Sequence, residues 1–94
     1  MLNTLENLFN LARERKKSPK EDSYTNKLLK DKSLSKAKIL EEINELVEAV
    51  EKDTNKIHEA ADVFYHLLVY LEANDVKIEE VMAELEKRKN ELRR

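Results

Sequence analysis

The 94 residues allow one small domain whose core would be thin for a monomer, so oligomerisation is expected. Hydrophobic and charged residues each make up 40% of the chain, with Gly 0 and Pro 1, which leaves little for tight φ > 0 turns or a mixed β architecture and predicts an all-α fold. The absence of cysteine excludes a disulfide framework, a zinc knuckle and a cysteine nucleophile, and a net charge of −2 argues against a primarily electrostatic nucleic-acid binder.

The chain opens Met1-Leu2-Asn3-Thr4-Leu5-Glu6, with neither a basic leader region nor a long apolar run. No stretch approaches the ~20 apolar residues of a membrane span, so a soluble cytoplasmic protein without membrane contact is expected. Over residues 2–17, Leu2, Leu5, Leu8, Phe9 and Ala12 share one face and predict an amphipathic helix. It ends in Arg13-Glu14-Arg15-Lys16-Lys17. Cations in a last turn suit the helix dipole. The competing reading is an anion-binding rim in which Arg13 or Arg15 meets a phosphate.

Ser18-Pro19-Lys20-Glu21-Asp22 is the one clear loop, because proline restrains both itself and the residue before it. In Ser23-Tyr24-Thr25-Asn26-Lys27-Leu28-Leu29, either Asp22 or Ser23 can cap a short helix, and Leu28 and Leu29 anchor it to the core. Tyr24, Thr25 and Lys27 bring an aromatic ring, a hydroxyl and a cation together, although capping and packing account for most of that pattern. Residues 30–36 read as a polar connector from which Ser33 or Ser35 caps the next helix.

The helix predicted from about 36 to 52 places Ile39, Leu40, Ile43, Leu46, Val47 and Val50 on one side. Glu41, Glu42, Glu45 and Glu48 fall opposite, a pattern that any solvated helix shows. The helix from about 55 to 74 is different. Ile57, Ala60, Ala61, Val63, Phe64, Leu67, Leu68 and Leu71 cover a broad arc, and Asn55, Glu59, Asp62 and His66 form a narrow stripe within it. Acids on a helix that is apolar nearly all round are costly unless they are paired or bound to metal. Two explanations stand side by side: an ion pair to a lysine or arginine of another helix, or a metal site. His58 lies off the stripe and is expected at the surface. His66 lies on it and suits a packed, hydrogen-bonded role or a contact outside the metal's own ligands, since a hard cation prefers oxygen.

Asn74-Asp75-Val76-Lys77 breaks the chain before a last helix over 77–94. That helix carries Ile78, Val81, Met82 and Leu85 on one face and ends in Arg93-Arg94. The Asp53-Thr54-Asn55 break folds the two middle helices antiparallel. Glu42 and Glu45 share a face by their spacing of three, as do Glu59 and Asp62. The four carboxylates then face one another across a helix hairpin, a site for a hard divalent cation and hence for a phosphate substrate.

Three stretches carry a family resemblance. Ser23 to Leu29 resembles the Ser-Tyr-Thr-x-Lys-Leu segment of phosphoribosyl-ATP pyrophosphohydrolases, MazG-like all-α enzymes of the second step of histidine biosynthesis. Lys38 to Glu45 resembles their Lys-x-Gly-Glu-Glu-x-x-Glu, and Glu59 to Val69 their Glu-x-x-Asp-Leu-x-Tyr-His-x-x-Val. The similarity spans residues 5 to 90 or so. One departure stands out: Leu40 occupies the place of the family's usual glycine. The resemblance implies a MazG-like bundle of four to five helices completed by dimerisation. It implies Mg²⁺ held by Glu42, Glu45, Glu59 and Asp62, with Glu41 close by. It also implies Lys27, Lys38 and Arg13 on the substrate phosphates, with Tyr24 and His66 as substrate or supporting contacts. The implied reaction converts phosphoribosyl-ATP and water to phosphoribosyl-AMP and pyrophosphate, with Glu41 or Glu45 positioning the water. The alternatives are a house-cleaning nucleoside triphosphate pyrophosphohydrolase with the same metal site and a non-enzymatic helical oligomerisation module.

Overall fold

The computed structural model describes residues 2–92; Arg93 and Arg94 lie outside the described residues. Five helices follow in order: α1 (Asn3–Lys17), α2 (Tyr24–Lys30), α3 (Lys32–Lys52), α4 (Lys56–Ala73) and α5 (Ile78–Leu92). There is no strand among the described residues, as the composition predicts. None of the helices is long and apolar enough to cross a membrane.

The boundaries follow from capping. Ser23 starts α2, its hydroxyl accepting the amide N–H of Asn26 at 3.3 Å. Asp31 starts α3, its carboxylate accepting the N–H of Leu34 at 3.0 Å. The expected polar connector at 30–36 is therefore mostly helix. Asp31, which also ends α2, caps in place of Ser33 or Ser35. Ser35 is buried on the inner side of α3 instead.

A chain without glycine still needs left-handed residues to turn. Asp53 (φ 56°), Asn55 (φ 46°) and Asp75 (φ 60°) supply them, since aspartate and asparagine tolerate that region better than other residues with a Cβ. Asp53 and Asn55 reverse the chain between α3 and α4, which form the largest helix–helix interface of the fold. The antiparallel hairpin expected from the sequence is thus present.

Helix α4 is the hub, touching each of the other four helices. Leu28 and Leu29 of α2 pack on Val69 and Ala73 of α4, with Leu34 and Tyr65 beside them. Lys16 of α1 ties the end of α4 by donating to the Glu72 carbonyl at 2.7 Å and by pairing with Asp75. Arg13 pairs with Glu79 of α5.

The stripe of Glu59, Asp62 and His66 on α4 faces the fold as expected, whereas the roll of α3 and the exposure of part of α4's apolar arc differ from the expectation. On α3 the inward stripe is Ser35, Ile39, Glu42, Leu46 and Ala49, of which Glu42 is half-buried. Leu40, Ile43, Val47 and Val50, assigned to the core by periodicity, are exposed. On α4 the inward stripe is Asp62, His66, Val69 and Ala73. Ile57, Phe64 and Leu67 lie open, Phe64 at 55% exposure. Glu42 of α3 and Glu59 and Asp62 of α4 are thus half-buried, and each helix leaves apolar residues uncovered.

Candidate functional site

The hairpin gathers the carboxylates from both of its strokes. Ligand-capable oxygens of Glu42, Glu45 and Glu59 lie within 4.8 Å of one another. A second trio, His58, Glu59 and Asp62, meets the same distance and shares Glu59 with the first. The acids of α3 and α4 thus form one continuous patch, with Glu59 at its centre.

Burial shapes its electrostatics. Desolvation pushes the Glu42 carboxyl above its ordinary range, helped by the neighbouring Glu45 and Asp62 and opposed by His66. The Glu59 carboxyl is raised in the same way, by desolvation first and by the negative charge of Glu45 next. One oxygen of each, Oε2 of Glu42 and Oε2 of Glu59, is buried with no hydrogen-bond partner among the described residues. Leaving a buried carboxylate oxygen unpaired is expensive. A hard divalent cation takes oxygen ligands, so these two orphaned atoms, with Glu45 between them, fit one.

Of the two explanations left open by the sequence, the ion pair finds no support at Asp62, which meets no lysine or arginine among the described residues. Its carboxylate lies instead 3.3 Å from Nε2 of His58. His58 is exposed as expected, yet it belongs to the acidic patch. The signal for it was in the sequence: four residues before Asp62, it sits one turn away on the same side of α4.

His66 is buried on the α4 stripe. Its Nδ1 lies 2.8 Å from the Asp62 carbonyl oxygen and its Nε2 3.0 Å from the Tyr24 hydroxyl. Tyr24 stacks on Tyr65, with ring centroids 6.4 Å apart. The Tyr65 hydroxyl shares a hydrogen bond with that of Thr25 at 2.5 Å. Two polar links thus fasten the first turn of α2 to the middle of α4, directly beside the acids.

The expected cations are arranged less evenly. Lys38 sits near Tyr24 and pairs with Glu41 at 3.3 Å, one turn along α3. Lys27 lines a shallow cleft of 230 Å³ with Ser23 and Tyr24. Arg13 is not brought to the carboxylates, because Glu79 holds it. Arg15 is the α1 cation that reaches this side, donating to the Ser23 hydroxyl at 2.9 Å. The recess bounded by Glu45, Glu48, Asn55 and Glu59 measures 250 Å³, below the ~300 Å³ at which small-ligand pockets usually begin.

The profile of the phosphoribosyl-ATP pyrophosphohydrolase family matches residues 2–89. A phosphoribosyl-ATP pyrophosphatase of Clostridium novyi is 38% identical, over 97% of this chain and 86% of that protein. One from Methylobacterium nodulans is 44% identical, over 90% of this chain and 82% of that protein. The histidine biosynthesis bifunctional protein of Pyrococcus furiosus is 43% identical, over 94% of this chain and 42% of the longer protein. No solved structure gives a significant match. With the match running through α1 to α5 and through all three motif stretches, the chain belongs to the phosphoribosyl-ATP pyrophosphohydrolase family.

Proposed function

We propose that Glu42, Glu45, Glu59 and Asp62 form the Mg²⁺-binding active centre of this chain. Family membership makes the protein a phosphoribosyl-ATP pyrophosphatase of histidine biosynthesis, an enzyme that hydrolyses a phosphoanhydride. The observation that carries the siting is that Glu42 and Glu59, whose carboxylates meet with Glu45 within 4.8 Å, each hold a buried carboxylate oxygen without a hydrogen-bond partner among the described residues. Bound there, Mg²⁺ supplies neutralising charge to the phosphate oxygens of the scissile bond.

The chain's own groups divide the remaining work. Glu42 and Glu59, raised and unpaired, are the anchoring ligands, and Asp62 completes the set from the same side of α4. Glu45 adjoins both Glu42 and Glu59 and remains exposed, so it is better placed than Glu41 to hold the attacking water; Glu41 is engaged by Lys38. Lys38 can exchange Glu41 for a substrate phosphate without leaving α3, and Lys27 lines the cleft beside Tyr24. Arg13 has no part in this reading.

A second copy of the chain completes the assembly. The uncovered apolar arc of α3 and α4, with Leu40, Ile43, Val47, Val50, Ile57 and Phe64, supports a homodimer. So does the shallowness of the recess beside the acids, which is too small to enclose a nucleotide within one chain. Leu40, in place of the family's usual glycine, projects from this arc at 53% exposure, where a larger side chain adds apolar contact area.

The test is pyrophosphate release. Phosphoribosyl-ATP with Mg²⁺ should yield phosphoribosyl-AMP and pyrophosphate, chelation should stop the reaction, and ordinary nucleoside triphosphates should be poor substrates. Equal or faster turnover of ordinary triphosphates would favour the house-cleaning reading of the same centre.

A further inference from the structure

The Ser23 hydroxyl has both of its lone pairs taken. Its Oγ accepts the backbone N–H of Asn26 at 3.3 Å and Nη1 of Arg15 at 2.9 Å. Neither a backbone N–H nor a guanidinium can accept a hydrogen bond, so the direction of both is fixed. A serine hydroxyl has two lone pairs and one proton. Only the proton of Ser23 is left over, and it has no acceptor among the described residues. Ser23 is half-buried and lines two adjoining clefts, one of 390 Å³ with Arg15 and Lys20 and one of 230 Å³ with Tyr24 and Lys27. A ligand entering there meets a hydroxyl that can only donate.

Arg15 adds a second set of donors. Its fellow cations on α1 are engaged, Arg13 with Glu79 and Lys16 with Asp75. Arg15 is half-buried and bonds the Ser23 hydroxyl, with no carboxylate partner among the described residues. A guanidinium has five N–H donors in a planar fork that matches the oxygens of a phosphate, and it stays charged. Together with Lys20 and Lys27, it outnumbers the two acids that line the clefts, Glu21 and Asp22, both of which are exposed. The larger cleft exceeds the ~300 Å³ at which small-ligand pockets usually begin.

We propose that Arg15 and Ser23 bind the monophosphate of the phosphoribosyl group, at the end of the substrate remote from the bond that is cleaved. This rests on the active centre proposed above. Phosphoribosyl-ATP carries phosphate at both ends, a triphosphate on one ribose and a monophosphate on the other. The triphosphate belongs to the carboxylate centre and Lys38. Tyr24 joins that centre to the clefts, because its hydroxyl lies 3.0 Å from Nε2 of His66, one turn after Asp62, and its side lines the smaller cleft. The substrate crosses Tyr24 and ends on the guanidinium and the hydroxyl donor. An ordinary nucleoside triphosphate has no second phosphate to place there, which accounts for its expected poor turnover.

The test compares ligands that differ at this end. Arg15→Gln should raise KM for phosphoribosyl-ATP about 10- to 100-fold with kcat little changed, as for charge-assisted hydrogen bonds used in binding. Inhibition by α,β-methylene-ATP with Mg²⁺, which lacks the second phosphate, should not change. A loss shared by both ligands is what a merely structural role in holding α1 to α2 would give, and it overturns the assignment. Ser23→Asp keeps a residue able to cap α2 and to accept from Arg15 but has no proton to donate. It should hold the melting temperature while raising the same KM. An unchanged KM in either variant overturns the assignment. Ribose 5-phosphate carries the monophosphate end alone and needs neither metal nor turnover. It should shift the ¹H–¹⁵N signals of Arg15 and Ser23 in the wild type and in Asp62→Asn, and not in Arg15→Gln. Absent binding of ribose 5-phosphate to the wild type overturns this subsite alone, whereas full activity of Asp62→Asn overturns the carboxylate centre.

Discussion

Asp62 directs its carboxylate to His58, 3.3 Å away, and its backbone carbonyl to His66. Neither partner is a buried lysine or arginine, so among the described residues the acid is not half of a buried ion pair. This separates two outcomes for Asp62→Asn. Were a buried cation left behind, the substitution would cost several kcal/mol. Here it leaves behind an exposed imidazole and removes one of several crowded negative charges. The metal-free variant should therefore melt at or above the wild-type temperature. Mg²⁺ should raise the wild-type melting temperature, by about 2.7 kcal/mol of stability at one hundred times its Kd, and raise that of the variant much less. Pyrophosphate release should fall at least roughly 100-fold, beyond the range typical of residues that only support a metal ligand. Calorimetric melts with and without Mg²⁺ read both effects.

The raised carboxyls of Glu42 and Glu59 predict an unusual pH dependence for the metal-free protein. A carboxyl whose folded pKa lies above its unfolded value holds more protons when folded. Stability then falls as pH rises through the interval from the unfolded value, 4.5, to the folded one. Above that interval the loss is complete and constant. Carboxylates lowered by ion pairing, Glu79 with Arg13 and Asp75 with Lys16, act in the opposite sense. The clean measurement is therefore a difference. Glu42→Gln cannot ionise, so its melting temperature relative to wild type should climb as pH rises from about 4.5 and then level off. Saturating Mg²⁺ should erase that climb by favouring the ionised wild type.

Leu28 carries much of the link between α2 and α4. It is fully buried against the core that includes Val69 and Ala73. Leu28→Ala should cost about 2–5 kcal/mol, and each kcal/mol lowers the melting temperature by roughly 4–8 °C in a domain of this size. Because Tyr24 rides on the same short helix, KM should rise even at temperatures where the variant remains folded. A thermal melt paired with kinetics well below the transition checks both parts.

Much of this was legible in the residues. The five helices, the antiparallel hairpin and the carboxylates of α3 and α4 follow from periodicity and from the Asp53–Asn55 break, which works without glycine because aspartate and asparagine accept positive φ. What periodicity did not give was the roll of α3. The widest apolar stripe was assigned to the core, yet Leu40, Ile43, Val47 and Val50 are exposed while Glu42 turns inward. A helix in a small chain has two neighbours to satisfy, and hydrophobicity alone does not say which apolar face meets its own chain. The pairing of Arg13 with Glu79 was also hidden, because it joins residues from the two ends of the sequence. Asp31 as the α3 cap was missed for a simpler reason: two serines close by offered equally good chemistry.

The uncovered arc gives the last prediction. Ile57 is 88% exposed, and Phe64 of α4 and Val47 and Val50 of α3 are each more than half exposed. These positions lie away from the acidic stripe, so a charge placed there disturbs association without touching the carboxylates directly. The wild type should sediment as a dimer at micromolar concentration. Phe64→Glu puts a charge on the exposed apolar face of α4, where burial against a second copy would strip its hydration, and it should sediment as a monomer. The monomer should keep its helical circular dichroism, because Phe64 contributes little to the packing within one chain. Mg²⁺ binding should persist, since all four acids belong to one protomer, whereas turnover should fall because the recess of a single chain does not enclose the nucleotide. A wild type that sediments as a monomer while turning over phosphoribosyl-ATP at full rate would show that one chain suffices.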